Sequence, residues 1–292
     1  MTKKMPAALA HVLAAFTALA WGSSFIASKI LLQSYSPAQV MLMRFVLAYA
    51  ALWLCCPKTL RLSFREELRF IGLAVSGCSL YFLCENSALT YTYAANVSII
   101  VAAAPILTAL AAHLFLPDEK LKKGSFIGFA IAIVGVALVV YNGTVVLKLS
   151  PIGDLLSFGA AVCWAIYSVL LRKGLDKYNN LILTRRIMFW GFISGLPIAL
   201  MEKQSFSLAP LANGSFLFCL IFLGLICSAI GYVFWNLASK RLGIVTVCNY
   251  VYIIPFFTML TGVIVLDEPL TFMGIVGAVL IMLGMFIADR IK

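Results

Sequence analysis

Apolar runs of about 20 residues recur along the whole chain, each the length needed to cross ~30 Å of hydrocarbon as a helix. They lie near residues 9–32, 37–56, 69–89, 94–116, 124–141, 152–171, 181–200, 214–236, 243–266 and 270–288. Short polar or Pro/Gly-marked breaks separate them. The runs lack the period-two alternation of a β-barrel, so helices are the only way to satisfy their backbone groups in lipid. At 63% hydrophobic and 11% charged, the chain is far more apolar than the roughly 45–50% of soluble domains. It reads as an all-α polytopic membrane protein with ten transmembrane helices.

The net charge of +11 raises a nucleic-acid partner, but its distribution excludes one. Assigning alternate loops to one side gathers 16 of the 22 Lys and Arg residues there: Lys3, Lys4, Lys58, Arg61, Arg65, Arg69, Lys120, Lys122, Lys123, Arg172, Lys173, Lys177, Lys240, Arg241, Arg290 and Lys292. The other side holds Lys29, Lys148 and Lys203. The positive-inside rule then places both termini in the cytoplasm of a cell bounded by this membrane. The N-terminal run is too long for a cleaved signal and carries no evident cleavage site, so it is read as a retained span. All eight cysteines fall in or beside apolar segments and form no C-x-x-C, which makes them packing residues.

The sequence also repeats itself. ENSALTYTYAANVSIIVAAAPILTAL, residues 85–110, aligns without a gap to WNLASKRLGIVTVCNYVYIIPFFTML, residues 235–260, matching Asn86 to Asn236 and Pro105 to Pro255. Beyond a one-residue shift, Asp118 and Glu119 match Asp267 and Glu268, and Gly128 and Gly135 match Gly277 and Gly284. Trp21 and Lys29, in WGSSFIASK, match Trp164 and Arg172, in WAIYSVLLRK. Residues 9–141 and 152–288 are therefore two copies of a five-span unit. Five is odd, so consecutive copies enter the membrane from opposite sides. Inverted repeats of this kind are a recurring design of secondary transporters, in which two halves rock about a midplane site.

The duplicated five-span unit, the Trp followed by small residues, the Asn and Pro pair and the acidic turn before each last span together resemble the EamA type of the drug/metabolite transporter superfamily, over residues 9–288. The resemblance implies a central cavity between the halves, lined by the first, third and fourth spans of each, with the fifth as scaffold. It also implies movement of amino acids, other small metabolites or drugs, mostly outward in bacteria.

Glu85 is the one acid well inside the third span. A mid-membrane charge costs ~2.5–3.5 kcal/mol on insertion scales and marks a functional site by default. Two readings stand: a cavity carboxylate that binds a substrate ammonium or a coupling proton, and a wetted residue near the outer interface. Trp21 and Trp164, with Ser24 and Tyr167 near them, are too deep for an interfacial belt and are candidates for a cavity floor. Pro105 and Pro255 sit mid-span, where each frees a carbonyl four residues earlier. Asn86, Ser98, Asn236, Asn249 and Tyr252 complete the candidate substrate-binding set, with interhelical hydrogen bonding as the competing role. Arg44 and Arg186 are expected to snorkel to the interface. The glycines seven apart in the fifth and tenth spans, and the Gly124/Gly128 pair, prepare flat helix faces for packing inside one monomer or, as the second choice, a weak homodimer.

There is no P-loop, HExxH or metal-ligand spacing, and no Ser/His/Asp grouping in loops long enough to fold, so no catalytic, cofactor or metal residue is assigned. The function expected is gradient-driven export of amino acids or related metabolites across the cytoplasmic membrane. Export of cationic drugs or metabolite import comes second, and a lipid-modifying membrane enzyme is a remote third.

Overall fold

The computed structural model describes residues 5–59, 61–117, 127–135, 138, 150–172, 178–202, 204–268 and 272–290. All regular structure among them is helical. The helices are α1 (Ala7–Leu31), α2 (Pro37–Cys55), α3 (Phe64–Tyr91), α4 (Ala94–Phe115), α5 (127–135), α6 (Pro151–Arg172), α7 (Asn180–Met201), α8 (Gly214–Leu242), α9 (Ile244–Leu266) and α10 (Phe272–Arg290). Eight of these, α1 to α4 and α6 to α9, are long and apolar enough to cross a membrane. α10 holds a shorter apolar stretch, Phe272–Gly284. The predicted span 124–141 falls partly outside the described residues, as do Gly124, Asp118 and Glu119.

α3 and α8 outrun their predicted spans. α3 starts five residues early because Ser63 and Glu66 form a capping box ahead of a polar first turn. Both helices also contain a π-helical segment, at Val75–Leu80 and at Phe222–Ile230. These segments overlap when the chain is shifted by the 150 residues of the internal repeat. A π-turn adds a residue per turn and so rotates the face presented by everything beyond it.

α4 and α9 are interrupted rather than kinked. α4 breaks at Ala102–Ala103 and resumes as Ala104–Phe115; α9 passes through a 3₁₀ turn, Asn249–Ile253, before Ile254–Leu266. Pro105 and Pro255 open the resumed segments, where the missing N–H has no helical partner to lose. The expectation of a proline in an unbroken span is corrected accordingly.

The halves interleave. α1 packs on α8 and α9, and its repeat equivalent α6 packs on α3 and α4; α2 lies against α7 and α8. The glycines of α5 and α10 meet each other: a methyl on Gly284 would lie 2.5 Å from the Gly128 carbonyl oxygen, and one on Gly135 would lie 2.7 Å from that of Gly277. The register runs 128 to 284 and 135 to 277, so these equivalent helices are antiparallel. All eight cysteines are free.

Polar ties close each end. At one, Gln39 Nε2 donates to the Gln204 carbonyl, Tyr35 to that of Ser207, and Ser36 Oγ to Glu202. At the other, Arg186 pairs with Glu67, whose second oxygen accepts from Trp190 Nε1 at 2.8 Å, and Arg185 caps the end of α2 through the Cys56 carbonyl. Arg186 is thus bound to a carboxylate rather than snorkelling alone.

Candidate functional site

Where α1, α2, α3, α4, α6, α8 and α9 converge they wall a cavity of about 20 Å³, room for a water and not for a substrate. The halves contribute equivalent positions. Trp21 and Trp164 both line it, as do Val101 and Val251, Ala104 and Ile254, and Phe82 and Tyr232. The last three pairs are related by the repeat offset of 150, so the cavity straddles the relation between the copies. Val101 and Val251 each sit four residues before the prolines, which places the two helix breaks at its wall.

Aromatic rings supply six of the thirteen lining residues. The Trp21 and Trp164 indoles meet edge to face at 5.1 Å and 86°, Tyr81 packs on Trp164 at 5.3 Å, and Trp235 lies under Trp21 at 4.8 Å. Such pairs contribute about 0.5–1.5 kcal/mol each beyond area burial, so the rings form a rigid box.

The polar atoms arise where the copies differ. Trp21 Nε1 donates to the Cys227 carbonyl at 3.0 Å. The corresponding acceptor for Trp164 is the Gly77 carbonyl, but the Tyr232 hydroxyl occupies it at 2.6 Å. Position 82, the equivalent of Tyr232, is a phenylalanine and cannot compete in the same way for the Cys227 carbonyl. Trp164 Nε1 is consequently buried without a partner.

Glu85, whose equivalent is Trp235, is 2% exposed and lines the cavity six residues, about 9 Å at 1.5 Å per residue, from the end of α3. It is a cavity carboxylate and not a boundary residue. One oxygen, Oε1, has no hydrogen-bond partner, and Tyr81, one helical turn back, lines the same cavity.

Arg44 is the main residue that sequence reasoning misplaced. It is 1% exposed and lines the cavity opposite the snorkelling expectation. Its guanidinium lies 3.9 Å over the Phe82 ring, and Nε donates to Ser228 Oγ at 2.8 Å. The signal was available: Arg44 is the only charge in VMLMRFVLAY, seven residues from one end of α2 and eleven from the other, too deep for either surface.

Of the predicted set, Trp21, Ser24, Glu85 and Trp164 line the cavity. Tyr167 and Asn236 stand behind it: the Tyr167 hydroxyl donates to Asn236 Oδ1 at 3.1 Å, and Asn236 Nδ2 donates to Thr184. Asn86 bridges to the Pro37 carbonyl at 3.1 Å, an interhelical tie. Ser98 is turned onto the Ala95 carbonyl of its own helix. Tyr252 is not in the lining and lies in a small apolar cluster with Ile99, Ile106, Ala132 and Ile281. Asn249, Pro105 and Pro255 are not in the lining either, although Ala104 and Ile254, next to the prolines, are. Tyr81 and Tyr232 were missed, being indistinguishable by sequence from other span aromatics.

At the end bearing Lys29 the two halves are tied to each other. Lys29 Nζ lies 2.8 Å from Glu268 Oε1 and donates to the Thr92 carbonyl at 3.0 Å. The same carboxylate accepts from the Ala94 and Ala95 N–H groups that open α4, at 3.0 and 3.3 Å. Asp267, in the left-handed conformation at φ 52°, ends α9 and turns Glu268 back into the bundle.

EamA-like transporters, as a family, match residues 8–141 and again residues 151–288. The chain belongs to the EamA-like transporter family. With its apolar helices, this EamA chain is a multi-pass membrane protein. It is 33% identical to an “Uncharacterized transporter” of Archaeoglobus fulgidus, over 95% of this chain and 96% of that one. A “Probable terminal-alkyne amino-acid exporter” of Streptantibioticus cattleyicolor is 28% identical over 94% and 91%. A “Probable amino-acid metabolite efflux pump” of Escherichia coli is 24% identical over 94% and 93%. One crystal structure matches the EamA chain with a TM-score of 0.73 at 20% identity, over 96% of this chain and 98% of that one, and shares its fold.

Proposed function

We propose that this EamA protein is a secondary transporter that exports amino acids or related small metabolites across the cytoplasmic membrane by alternating access. The observation that carries the reading is the aromatic cavity lined by equivalent residues of both copies. Two relatives named for amino-acid export or amino-acid metabolite efflux support the substrate class. Ten spans, arranged as two five-helix repeats of opposite orientation with both termini cytoplasmic, follow from the odd number per copy and the loop charges. The antiparallel meeting of α5 with α10 supports that orientation.

In this reading the narrow cavity belongs to a closed state, with the Lys29–Glu268 tie shutting the outer end. Substrate enters when the repeats part and the Trp21 and Trp164 rings separate. A gradient drives the cycle, with a proton as the coupling ion and Glu85 as its acceptor in the reading that pairs proton with substrate. The unit is one chain in lipid, and the glycine faces of α5 and α10 are spent within it.

Proteoliposomes test the class: saturable counterflow of an amino acid indicates a carrier, and its absence for every metabolite tried overturns the reading. Trp21→Ala or Trp164→Ala is expected to lower counterflow roughly tenfold, the equivalent of about 1.4 kcal/mol, with little change in expression. Equal losses in both would make the rings packing alone. Cysteine labelling of loops 32–36 and 173–179 is expected to place them in opposite compartments; the same compartment would end the inverted-repeat reading.

A further inference from the structure

Two opposite charges wall this cavity without pairing. Arg44 and Glu85 both line it and are both at most 2% exposed, yet neither belongs to an ion pair closer than 4.0 Å among the described residues. Burying a charge without a close partner is costly, and two opposite charges held apart recover only part of the attraction that offsets it. The guanidinium is held from swinging across by its bond to Ser228 and its seat over Phe82. Three polar atoms of the lining residues are left over: Arg44 Nη1, Trp164 Nε1 and Glu85 Oε1. Two donate and one accepts.

We infer that this arrangement reads a zwitterion. Arg44, assisted by the Trp164 N–H, holds a carboxylate; Glu85 holds an ammonium; and the box of Trp21, Phe25 and Tyr232 takes an apolar side chain. The inference rests on the transport reading above and narrows it to an α-amino acid with both charged groups free and a largely apolar side chain. Either charge alone is a poor ligand. A quaternary amine or polyamine satisfies Glu85 but meets the fixed guanidinium, and an N-acylated acid, held once the repeats part, leaves Glu85 unpaired. Sites built on buried polar partners reject ligands lacking one of them far more strongly than apolar pockets reject a size change.

The test uses the full chain, first in detergent and then in proteoliposomes. Each of the common amino acids is screened by thermal shift, since a ligand of the native state raises the midpoint by mass action. The best apolar one is then compared with its methyl ester, which keeps only the ammonium, and its N-acetyl derivative, which keeps only the carboxylate. The parent is expected to bind and exchange, and each derivative to lose at least about tenfold in affinity. Arg44→Met is expected to shrink the preference over the ester, and Glu85→Gln the preference over the N-acetyl form. These ratios are internal to each variant, and the wild-type series stands even if a variant does not fold. Equal binding of parent, ester and N-acetyl form overturns the zwitterion inference while leaving amino-acid transport intact. Exchange of other metabolites but of no amino acid overturns the amino-acid reading and this inference with it.

Discussion

Glu268→Ala is expected to destabilise the folded protein by about 2–4 kcal/mol, read as a drop in the thermal midpoint in detergent. The figure follows from what one carboxylate holds. It pairs with Lys29 and accepts from the Ala94 and Ala95 N–H groups, and hydrogen bonds to charged groups contribute about 1.5–3 kcal/mol each before entropy and partial solvation reduce them. Lys29 keeps a quarter of its side chain exposed, so its share is the smaller one. Lys29→Met should accordingly cost less than Glu268→Ala, because the carboxylate still caps α4. Glu268→Gln should fall between them, keeping an acceptor but not the charge. Equal losses from Lys29→Met and Glu268→Ala would locate the effect in the ion pair and contradict the capping role. Transport should fall with Glu268→Ala as well, since the tie joins α1, the turn between α3 and α4, and the end of α9.

The second large effect is expected at Gly77. A methyl there would lie 2.1 Å from Cδ2 of Tyr167 and 2.4 Å from its Cγ, well inside van der Waals contact. The ring cannot step aside cheaply: its hydroxyl donates to Asn236, and its face packs on Trp164 at 5.1 Å. Overpacking of a filled core costs about 1–3 kcal/mol and occasionally more, and Gly77→Ala should lie at or above the upper end. Because Trp164 lines the cavity, the displacement should also depress counterflow and alter tryptophan fluorescence. Tyr167→Ala removes the obstacle, so Gly77→Ala should cost much less in that background. Additive effects of the two substitutions would show that the ring is not what excludes the methyl.

Hydropathy alone made most of the bundle legible, and α1, α2, α6 and α7 begin and end close to their expected limits. Boundaries slipped where polar turns extend a helix beyond the apolar run, as at Phe64 in α3 and at Lys240–Leu242 in α8. The site was read less well. Glu85 stood out because a lone acid in an apolar run is unusual. Arg44 stood out equally but was sent to the surface, because a long side chain can reach an interface and one-dimensional distance does not reveal whether it does. Tyr252 and Ser98 are candidates because they are polar groups in apolar spans. Polarity does not tell which way a side chain turns at the 3₁₀ turn Asn249–Ile253, and it says nothing of a hydroxyl that bonds its own helix.

What the sequence determined by itself was the membrane as solvent and the duplication, since each is written in the order of residues: twenty apolar positions must span, and aligned strings must be copies. Tertiary structure alone decided which side chains share the cavity. The π-segments of α3 and α8 and the interruptions of α4 and α9 rotate the faces that follow them, and a hydroxyl on one copy captures the carbonyl that the other copy leaves to an indole. Those outcomes depend on competition between groups roughly 80–190 residues apart in the chain, which no local pattern records.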